Sequence, residues 1–184
     1  MHQSLLVRQV LPAIIGYLGL IAATIVGDYV LHRTGLGAIG LYLGPIGTAL
    51  IALSFVYSLR KRKVISFGQP KKLLDLHESL SWTGALLVLV HGGIHVNAAI
   101  PWLALAAMLI VVASGLTGQT LLRRATATLK TKRAASPPGE DNTVLDAVTV
   151  DLMKRWRVVH MPLNAVFLVL LVTHLVSVLL LRHW

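Results

Sequence analysis

Two stretches of this sequence carry histidines at one common interval. His77 and His91 bracket the first, and His160 and His174 bracket the second. In each, the second histidine follows the first by fourteen positions, and the residues between are mostly apolar. On an α-helix that step rises about 21 Å and turns through nearly four complete turns. Both imidazoles of a pair therefore lie on almost one face, near opposite sides of a hydrocarbon core about 30 Å thick. Two such helices side by side offer two His–His pairs, one above the other.

The composition supplies the membrane. Hydrophobic residues make up 55% of the 184 and charged residues 13%, about half the charged fraction of a soluble domain. The apolar runs predict an all-α integral membrane protein, a bundle of five transmembrane helices in one domain over residues 1–184. The spans are expected near 10–30, 39–59, 77–98, 102–122 and 158–181. The first run is too long for a cleavable signal peptide and reads as a retained signal anchor. Gly40, Gly44 and Gly47 in the second span are small residues that let helices approach closely, and Pro45 predicts a kink or local loosening there. A reversal is expected over Asn97 to Pro101. The one long polar stretch predicts a cytoplasmic loop over 123–157, broken by Ser136-Pro-Pro-Gly139. A short amphipathic helix from about Thr143 should lead into Lys154-Arg-Trp-Arg157.

The formal charge of +10 does not imply a nucleic-acid partner, because the basic residues sit at the ends of apolar runs, where they report topology. With the N-terminus cytoplasmic and the C-terminus external, every Lys and Arg except Arg33 and Arg182 falls on the inner side. Trp102, Trp156 and Trp184 then fall at span ends as an aromatic belt, whereas Trp82 lies deeper. The chain has no cysteine, so disulfides, thiolate zinc, Fe–S clusters and covalent c-type haem within it are excluded.

In this topology the third and fifth spans run parallel. His77 then pairs with His160 at the inner level, and His91 with His174 at the outer level. Neutral imidazole is a good ligand for haem iron, and ionisable residues inside a membrane point to function. The expected cofactors are two haem b groups with bis-histidine ligation, with a quinone as a candidate further ligand. Gly84, midway between His77 and His91, would leave room for the macrocycles, and Phe167, midway in the other ruler, would fill the gap between them. His95 lies one turn beyond His91 and competes with it for the outer iron, or else meets a propionate or a quinone. Gly92 and Gly93 would admit a ring. Propionates need cationic or hydrogen-bonding neighbours. The candidates are Lys72, Arg124, Arg155 and Arg157 at the inner level, and Arg182, His95 and Asn97 at the outer. Asp75 and Glu78 could relay protons to a quinone. His2, His32 and His183 have no matched partner and read as interfacial. A cation transporter is the rival from another class, but its ligands should converge near one depth, and these histidines lie at two.

These four histidines resemble the pattern of the membrane dihaem b-type cytochromes, in which two helices each bear two haem-ligating histidines thirteen or fourteen apart. The likeness is to the four-helix haem core shared in outline by cytochrome b of quinol-oxidising complexes and by ferric-reductase-like transmembrane domains. The stretch Ser114-Gly-Leu-Thr-Gly-Gln-Thr-Leu-Leu-Arg-Arg124 looks like the intervening helix of small bacterial cytochrome b subunits, and the resemblance covers about residues 60–184. The Pro-Glu-Trp-Tyr quinol-site motif and a flavin or NADPH extension do not occur in this sequence. The resemblance therefore implies an electron-transfer subunit in a bacterial or archaeal cytoplasmic membrane. It would work in a hetero-oligomeric complex, between the quinone pool and a partner subunit carrying Fe–S, flavin or c-type haem. The alternative is a stand-alone metal or quinone reductase.

Overall fold

The computed structural model describes residues 5–93, 98–135 and 143–181. Among them all regular structure is α-helical and no strand occurs: α1 (Leu5–Arg33), α2 (Gly37–Ser54), α3 (Val56–Lys61), α4 (Pro70–Gly92), α5 (Ala99–Ala135) and α6 (Thr143–Leu181). Five segments are long and apolar enough to cross a membrane: Val10–Arg33, Gly37–Lys61, Pro70–Gly92, Ala99–Thr120 and Asp151–Leu180. Large aliphatic side chains point outward along them, including Leu41, Val169 and Leu179, each about two-thirds exposed. Burying one such side chain is worth about 1.5–3 kcal/mol, so this surface suits lipid and not water.

Local chemistry sets the ends. Gly35 takes φ +72 after α1, and the Leu36 N–H closes back on the Leu31 carbonyl at 3.0 Å, a wrap-around helix stop that glycine permits. Pro70 starts α4 at its first turn, where its missing N–H costs nothing. Pro101 likewise falls in the first turn of α5, so the reversal expected over Asn97 to Pro101 is already helical from Ala99.

Two expectations are corrected here. The third span does not continue to residue 98 as helix: α4 stops at Gly92, because Gly93 adopts φ 52. α2 runs through Pro45 and ends ahead of Phe55, where the Phe55 N–H bonds to the Ala52 carbonyl, three residues back. The loop expected from residue 123 is helical as far as Ala135, in α5, while the helix expected from about Thr143 is present as the start of α6 and continues without a break through the last span. Residues 125–135 are rich in Ala, Thr, Lys and Arg and hold no Gly or Pro, so nothing in them stops a helix.

The helices form two compact units. In Leu18–Met108, α2 and α3 pack on α4. A Cβ on Gly47 would sit 2.7 Å from the Gly84 carbonyl oxygen, and one on Gly84 would sit 2.8 Å from that of Gly47. The two backbones therefore touch, and Ile51, Ala85 and Leu89 are buried around them. The other unit joins Met1–Tyr17 to Leu109–Trp184. There Gly16 meets Leu116, and Phe167 of α6 is buried.

The Gly47–Gly84 contact leaves no space for a side chain. Gly84→Val should lose at least the roughly 1–3 kcal/mol typical of overpacking. Gly19→Ala, whose added Cβ meets nothing within 4 Å, should be near neutral. Thermal unfolding of the two variants in detergent checks the difference.

Candidate functional site

Helix α4 holds His77 and His91 at separate levels of α2. Ser54 is the last residue of α2, and the last four carbonyls of a helix have no partner within it. The His77 Nδ1 donates to the Ser54 carbonyl at 3.0 Å. Ser54 is itself buried and its hydroxyl turns back to the Ile51 carbonyl at 2.7 Å. The Tyr57 ring of α3 lies 5.7 Å from the His77 ring, tilted by 33°, and the Lys61 ammonium lies 5.7 Å over the same tyrosine.

His91 is held in the same way in the first half of α2. Its Nδ1 donates to the Gly40 carbonyl at 2.8 Å. Its ring lies on Gly44, where a Cβ would come within 2.6 Å of Cδ2. Among the described residues neither His77 nor His91 makes a hydrogen bond through Nε2.

His160 is buried against α5 by a different anchor. Its Nδ1 lies 3.1 Å from the Ser114 hydroxyl. Trp156, one turn earlier, stacks on the imidazole at 4.6 Å and 19°, and its indole N–H donates to the Ser114 carbonyl at 2.9 Å. Gly118 gives the indole its place, since a Cβ there would run into the ring. Asn164, one turn later, points its amide nitrogen at His160 Nε2 at 3.5 Å. Trp156 is thus an internal clamp, not the belt residue that its place at a span end suggested. Trp102, 38% exposed at the start of α5, does face outward. So does Trp82, which is 36% exposed.

The shared feature is chemical. A ring N–H spent on an acceptor fixes the tautomer and leaves the other nitrogen with its lone pair. Metal-binding histidines are held in this manner, with the distal N–H on a carbonyl, a carboxylate or water. Interhelical hydrogen bonds inside membranes contribute only about 0.6 kcal/mol on average. Their main consequence here is orientation and tautomer, with little effect on stability. For His77 and His91 the nitrogen presented as a lone-pair donor is Nε2. The Ser114 and Asn164 contacts favour the same tautomer in His160, with the Asn164 amide N–H directed at the Nε2 lone pair.

The remaining site candidates fall as follows. His174 is half-buried on α6. Gly84 faces Gly47 and Ile51, so α2 packs closely against it. Gly92 faces Leu105 of α5, and Gly93 ends α4. Arg155 is exposed and paired with Asp151 at 2.8 Å, and Arg157 and Lys72 are exposed. Arg124 lies within α5. His95, Asn97 and Arg182 lie outside the described residues, as do His2, His183 and Trp184. No group of three or more His, Asp or Glu side chains converges among the described residues. Sequence reasoning missed Ser54, Gly40 and Asn164 as partners of the histidines. Trp156 and Asn164 sit four residues either side of His160, a spacing that puts all three on one helical face and was readable in advance.

Comparison of the chain with protein-family models, with curated proteins and with solved structures finds no match. What the site does rests on its own geometry.

Gly118 and Gly115 separate the clamp from its surroundings. Gly118→Ala should expel the Trp156 indole and break its bond to Ser114. Gly115→Ala should be tolerated, because its Cβ would stand 3.9 Å from His160 Cε1. Emission from a variant retaining Trp156 as the sole tryptophan should shift to the red with the first substitution and not with the second.

Proposed function

We propose that the chain is a membrane b-type cytochrome subunit that holds two haems and passes electrons across the bilayer. The observation that carries this reading is the anchoring of His77 and His91. Both donate Nδ1–H to main-chain carbonyls of α2, so each presents Nε2 as a preset donor, the arrangement expected of an axial ligand. They do so at two levels of one helix, as two separate haems require. The donor set fits haem b: imidazoles on apolar spans, with no thiolate in the chain.

The partners follow from the topology expected of the sequence, in which the third and fifth spans are parallel. His77 would share one iron with His160 on the cytoplasmic side, and His91 would share the other with His174 on the external side. Haem bound at these positions supplies reversible one-electron chemistry. The chain supplies the rest. α2 fixes the ring planes of His77 and His91, Ser114 and Trp156 contact that of His160, and the apolar spans would keep water from the bound group. Gly84 serves helix packing in this scheme. Arg124, Arg155 and Arg157 remain candidates for the inner propionates, and Arg182 for the outer. The electron partners are proposed to be the quinone pool and a redox subunit carrying Fe–S, flavin or c-type haem.

Replacing His77, His91, His160 or His174 singly by alanine should remove one of the two haems, read as half the b-type absorbance per purified chain. The His95→Ala variant should keep both. Loss of the outer haem in that variant, with retention in His91→Ala, would show that His95 and not His91 is the ligand. Gly44→Ala should behave as a partial His91 variant. Its Cβ would enter the imidazole, break the bond to the Gly40 carbonyl, and lower occupancy of one haem about 10–100-fold in affinity, as removing a ligand's supporting contact does. Haem titration of the purified variant measures it.

A further inference from the structure

Of the four histidines at the paired fourteen-residue interval, His77, His91 and His160 show how their Nδ1 atoms are held, and they are not held alike. His77 and His91 donate to main-chain carbonyls, acceptors that no side-chain substitution deletes. His160 instead meets a side-chain hydroxyl, that of Ser114, at 3.1 Å. Ser114 also binds the clamp, because its carbonyl takes the Trp156 indole N–H at 2.9 Å while that indole stacks on the imidazole. Two of the contacts that place the His160 ring, the Nδ1 contact and the stacked indole, therefore pass through one residue of α5, beside the Asn164 amide at Nε2. A hydroxyl accepts and donates and can rotate, so the His160 Nδ1–H bond is the adjustable one of the three.

We propose that Ser114 is the positioning residue for His160, and that its hydroxyl tunes the reduction potential of the haem His160 would ligate. This rests on the dihaem reading above. An acceptor on Nδ1–H makes the imidazole a stronger electron donor and favours ferric iron. Removing the acceptor favours the ferrous form. The ring plane is set by the same residue through Trp156, so orientation and donor strength are coupled at this histidine.

The test is a redox titration of the purified, haem-loaded chain, followed optically, in wild type, Ser114→Ala and Ser114→Thr. In Ser114→Ala one of the two midpoint potentials should rise, by up to a tenfold change in the one-electron equilibrium, about 59 mV. The other should stay in place. Ser114→Thr retains the hydroxyl and should match wild type. The low-spin ferric resonance of that same haem should shift in Ser114→Ala and also in Trp156→Phe, which keeps an aromatic ring but loses the N–H. If Ser114→Ala releases the haem, Ser114→Thr decides: retention at the normal potential supports the hydroxyl role, and loss there too overturns it. Unchanged potentials and resonances in Ser114→Ala also overturn it. His160→Ala separates the two levels of the argument. Two haems retained in that variant would sink the ligand assignment itself. One haem lost there, with Ser114→Ala silent, would sink only the role of Ser114.

Discussion

An imidazole inside an apolar helix assembly must place its ring N–H on an acceptor. Leaving a buried donor unmade costs about 1–3 kcal/mol, and lipid offers no substitute. In α4 that requirement is met by α2, and it can be met only because the two backbones lie so close. Gly47 and Gly84 bring them into contact, Gly44 clears the plane of the His91 ring, and the end of α2 at Ser54 leaves a carbonyl for His77. Packing and chemistry are therefore one arrangement. A side chain at Gly44 or Gly84 would disturb a histidine as well as a helix contact.

The same logic takes a second form around His160. There the close approach of α5 and α6 depends on Gly118, and the acceptor is a hydroxyl. Small residues do the work that apolar side chains do in water-soluble proteins, because lipid gives aliphatic groups no reason to turn inward. The exposed Leu, Val and Ile along every span express this directly. α5, with 37 residues, and α6, with 39, each rise more than 50 Å at about 1.5 Å per residue, well beyond a hydrocarbon core of about 30 Å. Both spans therefore continue as helix into the polar segment that joins them.

Much of this was legible in the sequence, and what was not has a physical cause. The apolar runs located the spans, because hydropathy over such windows dominates every other term in lipid. Their ends were harder. Gly93 stops α4 through its backbone conformation, while residues 125–135 extend α5 because polar helix formers look like a loop to a hydropathy reading. Helix α2 runs on through Pro45, and its end at Phe55 carries no proline. The histidines were visible as a ruler, but their acceptors were not, since a main-chain carbonyl has no letter in the sequence. Gly84 is legible as a residue that makes room, but that α2 lies against it is not. Trp156 was read as an interfacial residue from its place at a span end, although its four-residue step to His160 already tied the two together.

The central claim is that this chain binds two haem b groups through its histidine rulers. Haem-to-protein stoichiometry of the purified wild-type chain, taken as the pyridine haemochrome together with a reduced-minus-oxidised spectrum, tests it most directly. The account predicts two haem b per chain with b-type difference bands. A chain that purifies folded and helical with no stoichiometric haem and no such bands would contradict it.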